Sequence, residues 1–175
     1  FVILMNRGRL SDMSIVRRIF VEKKPSFNIE AQTLFYDLKN NLNIKGLKNV
    51  RVINRYDVSG LSEDVFLQAV KTVFSEPNLD DIYIENIVFD KNDRVFAVEY
   101  LPGQYDQRAD SAEQCIQILT NGLRPIVSTA KVIVLSGDIT EDEFIKIKNY
   151  CINTVDSREA SLLKPENLDI NIEYP

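Results

Sequence analysis

The segment Val98–Leu119, with the sequence VEYLPGQYDQRADSAEQCIQIL, combines the end of a strand, a polar loop and the start of a helix. Val98 and Tyr100 continue an apolar alternation, and Pro102-Gly103 ends it. The apolar residues that follow recur at helical spacing and form one stripe, namely Ala112, Cys115, Ile116 and Leu119. We therefore predict a strand, a loop and a helix in this order.

The loop between the strand and the helix is dense in hydrogen-bonding side chains, and ordering such a loop for stability alone is costly. Asp110 or Ser111 is predicted to cap the helix by accepting a hydrogen bond from a first-turn amide. We select the loop as the first candidate site, an interdomain docking or substrate-proximal loop. It comprises Gln104, Asp106, Gln107, Arg108, Asp110 and Ser111.

Apolar periodicity predicts further strands and helices on both sides of this segment. The predicted strands are 15–22, 50–58, 81–88, 94–101 and 130–135, with a possible short strand within 153–165. The predicted helices are 28–43, one after Ser62 that stops before Pro77, one from the candidate loop to about Thr120, and one after Thr140 that ends near Cys151. Asn28 and Ser62 are predicted N-caps, and Thr140 and Glu143 have the spacing of a capping box.

The second half of the chain repeats the element order of the first half and some of its residues. Val21–Pro25 aligns with Val98–Pro102 at an offset of 77 residues, and Val58–Gly60 aligns with Leu135–Gly137 at the same offset. The stripe Ala31, Leu34, Phe35 and Leu38 aligns with Ala112, Cys115, Ile116 and Leu119 at an offset of 81. This pattern indicates an internal duplication, with the extra four residues inserted in the candidate loop.

We predict an α+β fold of two-layer α/β repeats, in which two pseudo-twofold-related βαβαβ halves pack or join their sheets and carry the helices outside. A half of about eighty residues cannot bury both faces of its sheet, so the other half is expected to cover the open face. The expected divisions are an extra segment 1–13 outside the fold, a first repeat 14–90, a second repeat 91–163 and the start of a linker at 164–175.

Composition limits the classes of function. The 175 residues carry a net charge of −5 and no basic run, which argues against nucleic-acid and membrane partners. The absence of histidine excludes Ser-His-Asp and Cys-His nucleophilic pairs and histidine-based zinc sites within this chain. Cys115 and Cys151 lie in helical stripes, which favours buried, inert thiols and a reducing, cytoplasmic location.

Several segments resemble the N-terminal region of the large, single-chain phosphoribosylformylglycinamidine synthases. They are 16–24, 54–58, 73–77, 96–112 and 156–161, and the long central one is the most specific. The resemblance extends from about Ser14 to Pro175 and does not include residues 1–12. In that family this region is similar to a fused pair of the small accessory subunit found in bacteria that split the enzyme.

The resemblance implies a place in an ATP-dependent glutamine amidotransferase ligase, which converts formylglycinamide ribonucleotide to the amidine in purine biosynthesis. ATP, magnesium, the synthetase core and the Cys-His glutaminase would belong to the remainder of such an enzyme. We therefore expect this chain to hold no cofactor or metal of its own, to have no catalytic residue and to be inactive alone. Its expected partners are the synthetase and glutaminase domains of the same chain, and 164–175 would start the linker to that missing core.

The residues of the candidate loop are compatible with three roles. Arg108 could dock on a carboxylate of a neighbouring domain, since a guanidinium forms bidentate pairs. Asp106 or Asp110 could instead pair with Arg108 in a local network. Direct contact of the helix N-terminus with a ligand or phosphate is disfavoured by the surplus of acidic residues and the single glycine. A second, linker-side candidate contact comprises Ser157, Arg158 and Glu159.

The alternative function is a free-standing duplicated α/β module that binds a small effector between its halves. The reading frame beyond Pro175 discriminates the two hypotheses. A glycine-rich ATP-binding core followed by a catalytic cysteine would favour the docking domain, and a stop codon would favour the effector module.

Overall fold

The computed structural model describes residues 13–122 and 124–168. Within these ranges the chain forms a mixed α+β fold with six strands and four helices. The strands are β1 (Arg17–Lys23), β2 (Leu47–Ser59), β3 (Asp80–Ile84), β4 (Arg94–Tyr100), β5 (Ile126–Gly137) and β6 (Ser157–Ala160). The helices are α1 (Ile29–Asn40), α2 (Glu63–Thr72), α3 (Gln107–Thr120) and α4 (Glu141–Cys151).

All six strands belong to one antiparallel sheet with the order β3-β1-β2-β5-β4-β6. The two longest strands, β2 and β5, pair at its centre from Leu47↔Gly137 to Ser59↔Ile126, with one register shift between Leu47 and Asn49. The strands of residues 14–90 therefore lie on one side of this pairing, and those of residues 91–163 lie on the other. The strands of the two halves join edge to edge in one sheet, which is one of the two predicted arrangements. The other arrangement, face-to-face packing of two sheets, is wrong.

The four helices pack on the same face of the sheet. Side chains alternate between the faces of a strand, so residues two apart share a face. On β2, Val50 and Val58 point towards the helices, whereas Ile53 points to the opposite face. Helices α2 and α3 share one core over β1 and β2, and α1 and α4 share a second core over β2, β4 and β5.

The expectation that each half shelters the open sheet face of the other is wrong. Because the sheets join at their edges, both halves turn their helices to the same side and leave the opposite face for other segments to cover. Ile87 and Phe89, in the connection after β3, pack against buried Phe20 and Val132 on that face. The segment after β6 crosses the same face and supplies main-chain carbonyls to two buried arginines.

A buried ion pair anchors this second face. Arg18 donates from Nε to Asp57 Oδ1 at 2.7 Å and from Nη2 to Oδ2 at 2.9 Å, and both side chains are buried. Arg18 Nη1 also donates to the Leu162 carbonyl at 2.9 Å, and Arg55 Nη1 donates to the Ser161 carbonyl at 2.8 Å. Burial and the nearby positive charge of Arg18 lower the pKa of Arg55. The two arginines thus bind the segment after β6 to the sheet, with Asp57 as the carboxylate between them.

The predicted N-terminal caps of α2 and α4 are confirmed. Ser62 accepts a hydrogen bond from the Val65 amide, and Thr140 and Glu143 form the predicted capping box. Asn28 is the N-cap residue of α1, but its side chain accepts a hydrogen bond from Gln32 Nε2 at 2.7 Å rather than from a backbone amide. The expected extra segment 1–13 lies outside the described residues except for Met13, and so do residues 169–175 of the expected linker start. Among the described helices, none has both the length and the apolar character needed to cross a membrane.

We predict that Asp57→Asn strongly destabilises the fold. The change removes the carboxylate charge while two arginines stay buried, and breaking a buried ion pair in this way costs about 3–5 kcal/mol. Urea unfolding followed by circular dichroism measures the loss in free energy of unfolding. The matched control is Glu141→Gln, which removes the exposed ion pair with Arg94 and should cost less than about 1 kcal/mol. Equal, small losses for the two variants would contradict the role of Asp57.

Candidate functional site

The N-terminus of α3 lies earlier than predicted, and Asp106 is its cap. Asp106 Oδ1 accepts a hydrogen bond from the Ala109 amide at 3.0 Å, and Oδ2 accepts one from Thr129 Oγ1 of β5 at 2.5 Å. The prediction of Asp110 or Ser111 as the cap is wrong, because Asp106 already satisfies the first-turn amide and ties the helix start to the sheet. The cap thus fixes the candidate loop against the centre of the sheet.

Asp110 instead organises a network on the outer side of α3. It accepts hydrogen bonds from the Tyr105 hydroxyl at 2.9 Å, from Gln114 Nε2 at 2.9 Å and from Arg124 Nη2 at 2.5 Å. Hydrogen bonds from Tyr105 and Arg124 lower the pKa of Asp110. Arg124 also pairs with Glu113 at 2.9 Å. The local network therefore exists, but its cation is Arg124 and not the predicted Arg108.

A cavity of about 880 Å³ lies on the helix face of the sheet. Its floor comes from β2, β4 and β5, and its walls come from α1, α3 and α4. Five of the predicted site residues line it, namely Asp106, Gln107, Arg108, Ser111 and Ser157. The fold therefore places Ser157, the first residue of the linker-side candidate, in the same cavity as four residues of the candidate loop.

The other predicted site residues lie elsewhere. Gln104 is exposed in the turn before α3, where its backbone amide donates a hydrogen bond to the Leu101 carbonyl at 3.1 Å. Asp110 faces its own network. Arg158 pairs with Glu99 at 3.0 Å and Glu159 pairs with Lys148 at 3.0 Å, both on the surface. None of these four residues lines the cavity, although Arg158 binds Glu99, which does.

Among the described residues, five carboxylates and two cations line the cavity. The carboxylates are those of Glu30, Asp37, Glu99, Asp106 and Asp156, and each accepts a hydrogen bond from a neighbouring side chain. Lys131 pairs with Glu30. Arg108 forms an ion pair with none of the described residues. The lining is thus acidic as a whole and contains one guanidinium that has no carboxylate partner in the part of the chain that the structure describes.

Arg108 lies beside the hydroxyl of Tyr56 on β2. The pKa of Tyr56 is raised, chiefly by burial, while the positive charge of Arg108 and its contact with the hydroxyl act in the opposite direction. The guanidinium therefore reaches from the start of α3 across to the central strand.

Asn54 is a site residue that the sequence analysis missed. It lies on β2 directly opposite Lys131 of β5, and its side chain faces the cavity. Its Oδ1 atom is buried and has no hydrogen-bond partner among the described residues. The sequence does contain one signal for this residue. Asn54 occupies a position at which the alternation of Val50, Val52, Tyr56 and Val58 predicts an apolar side chain.

The two cysteines differ in their exposure to solvent. Cys115 is exposed, so its predicted burial is wrong, because the buried side of α3 runs through Ala109, Ala112 and Ile116. Cys151 is half-buried at the end of α4 and lines the cavity. Burial raises the pKa of its thiol to about 11. A thiol with this pKa is inert at neutral pH, as predicted for Cys151.

Comparison with known proteins leaves the chain without an identified relative. No protein-family model, no curated protein and no solved structure matches it. The resemblance to the purine enzyme family therefore stays a hypothesis that depends on the segments quoted above.

We predict that Asp106→Ala lowers the free energy of unfolding by about 1–3 kcal/mol. The change removes a helix cap, worth about 0.5–2 kcal/mol, and the hydrogen bond from Thr129, worth about 1 kcal/mol. The matched control is Ser111→Ala, an exposed position of the same helix that was the predicted cap and should change stability by less than about 0.5 kcal/mol. Chemical denaturation of both variants measures the difference, and a larger loss for Ser111→Ala would contradict the observed helix start.

We also predict two separate rates of thiol modification. At pH 8 a thiol of pKa about 11 is ionised to about one part in a thousand, so Cys151 should react slowly with a disulfide reagent. The exposed Cys115 should react at least about tenfold faster, because access also limits the rate. Cys115→Ala should remove the fast phase and Cys151→Ala the slow one. Two equally fast thiols would contradict the burial of Cys151.

Proposed function

We propose that this chain is the N-terminal docking domain of a large phosphoribosylformylglycinamidine synthase. In this role it packs against the ATP- and magnesium-dependent synthetase core and the glutaminase, and it holds them in register for ammonia transfer in the cytoplasm. It supplies no catalytic residue, which agrees with the absence of histidine from its sequence. The active ligase is then the complete enzyme.

The strand order is the observation that carries this proposal. The order β3-β1-β2 is followed by β5-β4-β6, so the second set of three strands is the first set in reverse. Two copies of a small βαβαβ subunit related by a twofold axis between their second strands would produce this order. A fused pair of small subunits that join their sheets edge to edge would have this arrangement, and it supports the duplication proposed from the sequence.

The register at the centre of the sheet supports the same duplication. Asn54 lies opposite Lys131, and these two residues are 77 residues apart, which is the offset of the repeated segments. A residue on a twofold axis between paired strands faces its own copy. The proposed pseudo-twofold axis therefore passes through the Asn54–Lys131 pair and through the cavity above it.

The outer side of the candidate loop and of α3 is the proposed docking surface. Tyr105 is 70% exposed and Ile118 is 81% exposed. Aromatic residues and arginine are enriched at protein interfaces, and large apolar side chains in the buried centre of such a surface carry most of the affinity. A catalytic core that packs over these side chains would bury them away from water.

The test uses the complete product of the reading frame that contains this chain. That frame should encode a glycine-rich ATP-binding core and a later catalytic cysteine, and a stop codon soon after Pro175 would overturn the proposal. In the complete enzyme, the double variant Tyr105→Ser/Ile118→Ser should reduce the glutamine-dependent rate by at least about tenfold. The ammonia-dependent rate should change far less, because the synthetase site itself stays intact.

The matched control for this test is Val88→Ser, at an apolar side chain that is 88% exposed outside the proposed docking surface. It should leave both rates unchanged. Equal loss of the two rates in the double variant would indicate damage to the synthetase rather than to docking. Unchanged rates in the double variant would contradict this surface as the docking site.

A further inference from the structure

We propose that a cavity on the sheet face opposite the helices binds an apolar monocarboxylate, a molecule with one carboxylate and a hydrocarbon or aromatic body. The carboxylate would bind the guanidinium of Arg55, and the body would lie on apolar side chains of the sheet. The inference does not depend on the docking role, since the helices and the candidate loop lie on the other side of the sheet.

This cavity has a volume of about 670 Å³ and lies where the segment after β6 crosses the sheet. Strands β1, β2, β4 and β5 line it, through side chains that include Phe20, Arg55 and Val132. The connection after β3 and residues 162–164 complete the lining. The volume is in the range of small-molecule sites, which is about 300–1,000 Å³.

Arg55 supplies the group for the carboxylate. The residue is 6% exposed, and its one hydrogen bond to a described residue runs from Nη1 to the neutral carbonyl of Ser161 at 2.8 Å. It forms an ion pair with none of the described residues, although buried charges in proteins are normally paired. Its Nε and Nη2 atoms also donate to none of them, and neither atom is fully buried. Arg55 therefore retains one edge with two donors for an acceptor from outside the described chain.

The neighbouring Arg18 shows how such an edge binds a carboxylate in this protein. Its Nε and Nη2 atoms donate to the two oxygens of Asp57 at 2.7 and 2.9 Å, which is a bidentate geometry of arginine and carboxylate. Arg55 is two residues from Asp57 on the same face of β2. Its Nη1 binds the carbonyl of Ser161, and that of Arg18 binds the carbonyl of the next residue, Leu162. The two guanidinium groups are therefore neighbours, and Asp57 is hydrogen-bonded to only one of them.

The other charges of the described lining favour a monoanion over a dianion. Lys164 pairs with Glu85 at 2.6 Å, and Asp93 accepts a hydrogen bond from the Ser136 hydroxyl at 2.8 Å. Burial and the positive charge of the neighbouring arginine lower the pKa of Arg55, so a negative charge at this guanidinium would stabilise its ionised form. One ligand charge balances this one guanidinium, whereas a dianion such as phosphate would add a surplus negative charge near Glu85 and Asp93.

The rest of the lining favours an apolar body on the ligand. Phe20 and Val132 are buried in the sheet, and Ile87, Phe89 and Val95 pack against the same cluster and line the cavity. A hydrocarbon chain or an aromatic ring in the cavity would bury apolar surface against these side chains, which stabilises the complex. An inorganic anion would gain nothing from them.

The test is isothermal titration calorimetry of the full 175-residue chain with phenylacetate and with hexanoate. We expect at least one of them to bind with a dissociation constant below about 1 mM. The neutral amides phenylacetamide and hexanamide, which match the two probes in shape, should bind at least about tenfold more weakly, and so should inorganic phosphate. Absence of binding by both carboxylates, or equal binding by the amides or by phosphate, would overturn the proposal.

Two variants connect this binding to the cavity. Arg55→Lys keeps the positive charge but removes the pair of parallel donors, so it should weaken binding at least about tenfold. Val95→Phe fills part of the cavity and leaves Arg55 unchanged, so it should also weaken binding and tests the site even if Arg55→Lys does not fold. The matched control is Arg94→Gln, which removes an ion pair with Glu141 on the helix side and should leave the affinity unchanged. Full affinity in a folded Arg55→Lys or Val95→Phe variant would contradict the site.

Discussion

The pairing of β2 with β5 is the interaction on which the rest of the structure depends. It is the longest ladder of the sheet and the link between the strands of the first and second halves. Because it joins two sheets edge to edge, both sets of helices lie on one face, and helices from different halves share each core. The cavity lies above this ladder, between helices α1, α3 and α4, and the opposite face is left for the irregular segments after β3 and β6.

The strands and helices with strong apolar periodicity could be predicted from the sequence. Polar residues within the apolar pattern explain most of the differences between the predicted and the observed bounds. Strand β5 was predicted as 130–135 but extends over Ile126–Gly137, because the polar residues Ser128 and Thr129 interrupt the apolar pattern before Ala130. The start of α3 was misplaced because Asp106, Asp110 and Ser111 are all suitable caps by residue type. Only the position of Thr129 on a distant strand favours Asp106.

The candidate site was predictable where its residues are local and unpredictable where they meet through register. Asp106, Gln107, Arg108 and Ser111 come from one loop, and a dense polar loop before an apolar stripe is visible in the sequence. Asn54 and Lys131 become neighbours only through the alignment of β2 with β5, and a one-residue slip would place their side chains on opposite faces of the sheet. The cover of the second face by carbonyls of the segment after β6 has no sequence signal, because any residue carries a carbonyl.

The proposed duplication gives a physical reason for an asymmetric cavity. In a dimer of identical chains, a lysine on the twofold axis would face its own copy on the neighbouring strand, and directly opposed like charges destabilise a sheet. Under the proposed duplication, fusion of the two copies would let the residues on the axis differ, and Lys131 here faces the neutral Asn54. The proposed insertion in the candidate loop would add polar residues such as Arg108 on one side only. The cavity, which the duplication would place on the pseudo-twofold axis, would then have two unlike sides, and Arg108 lines one of them.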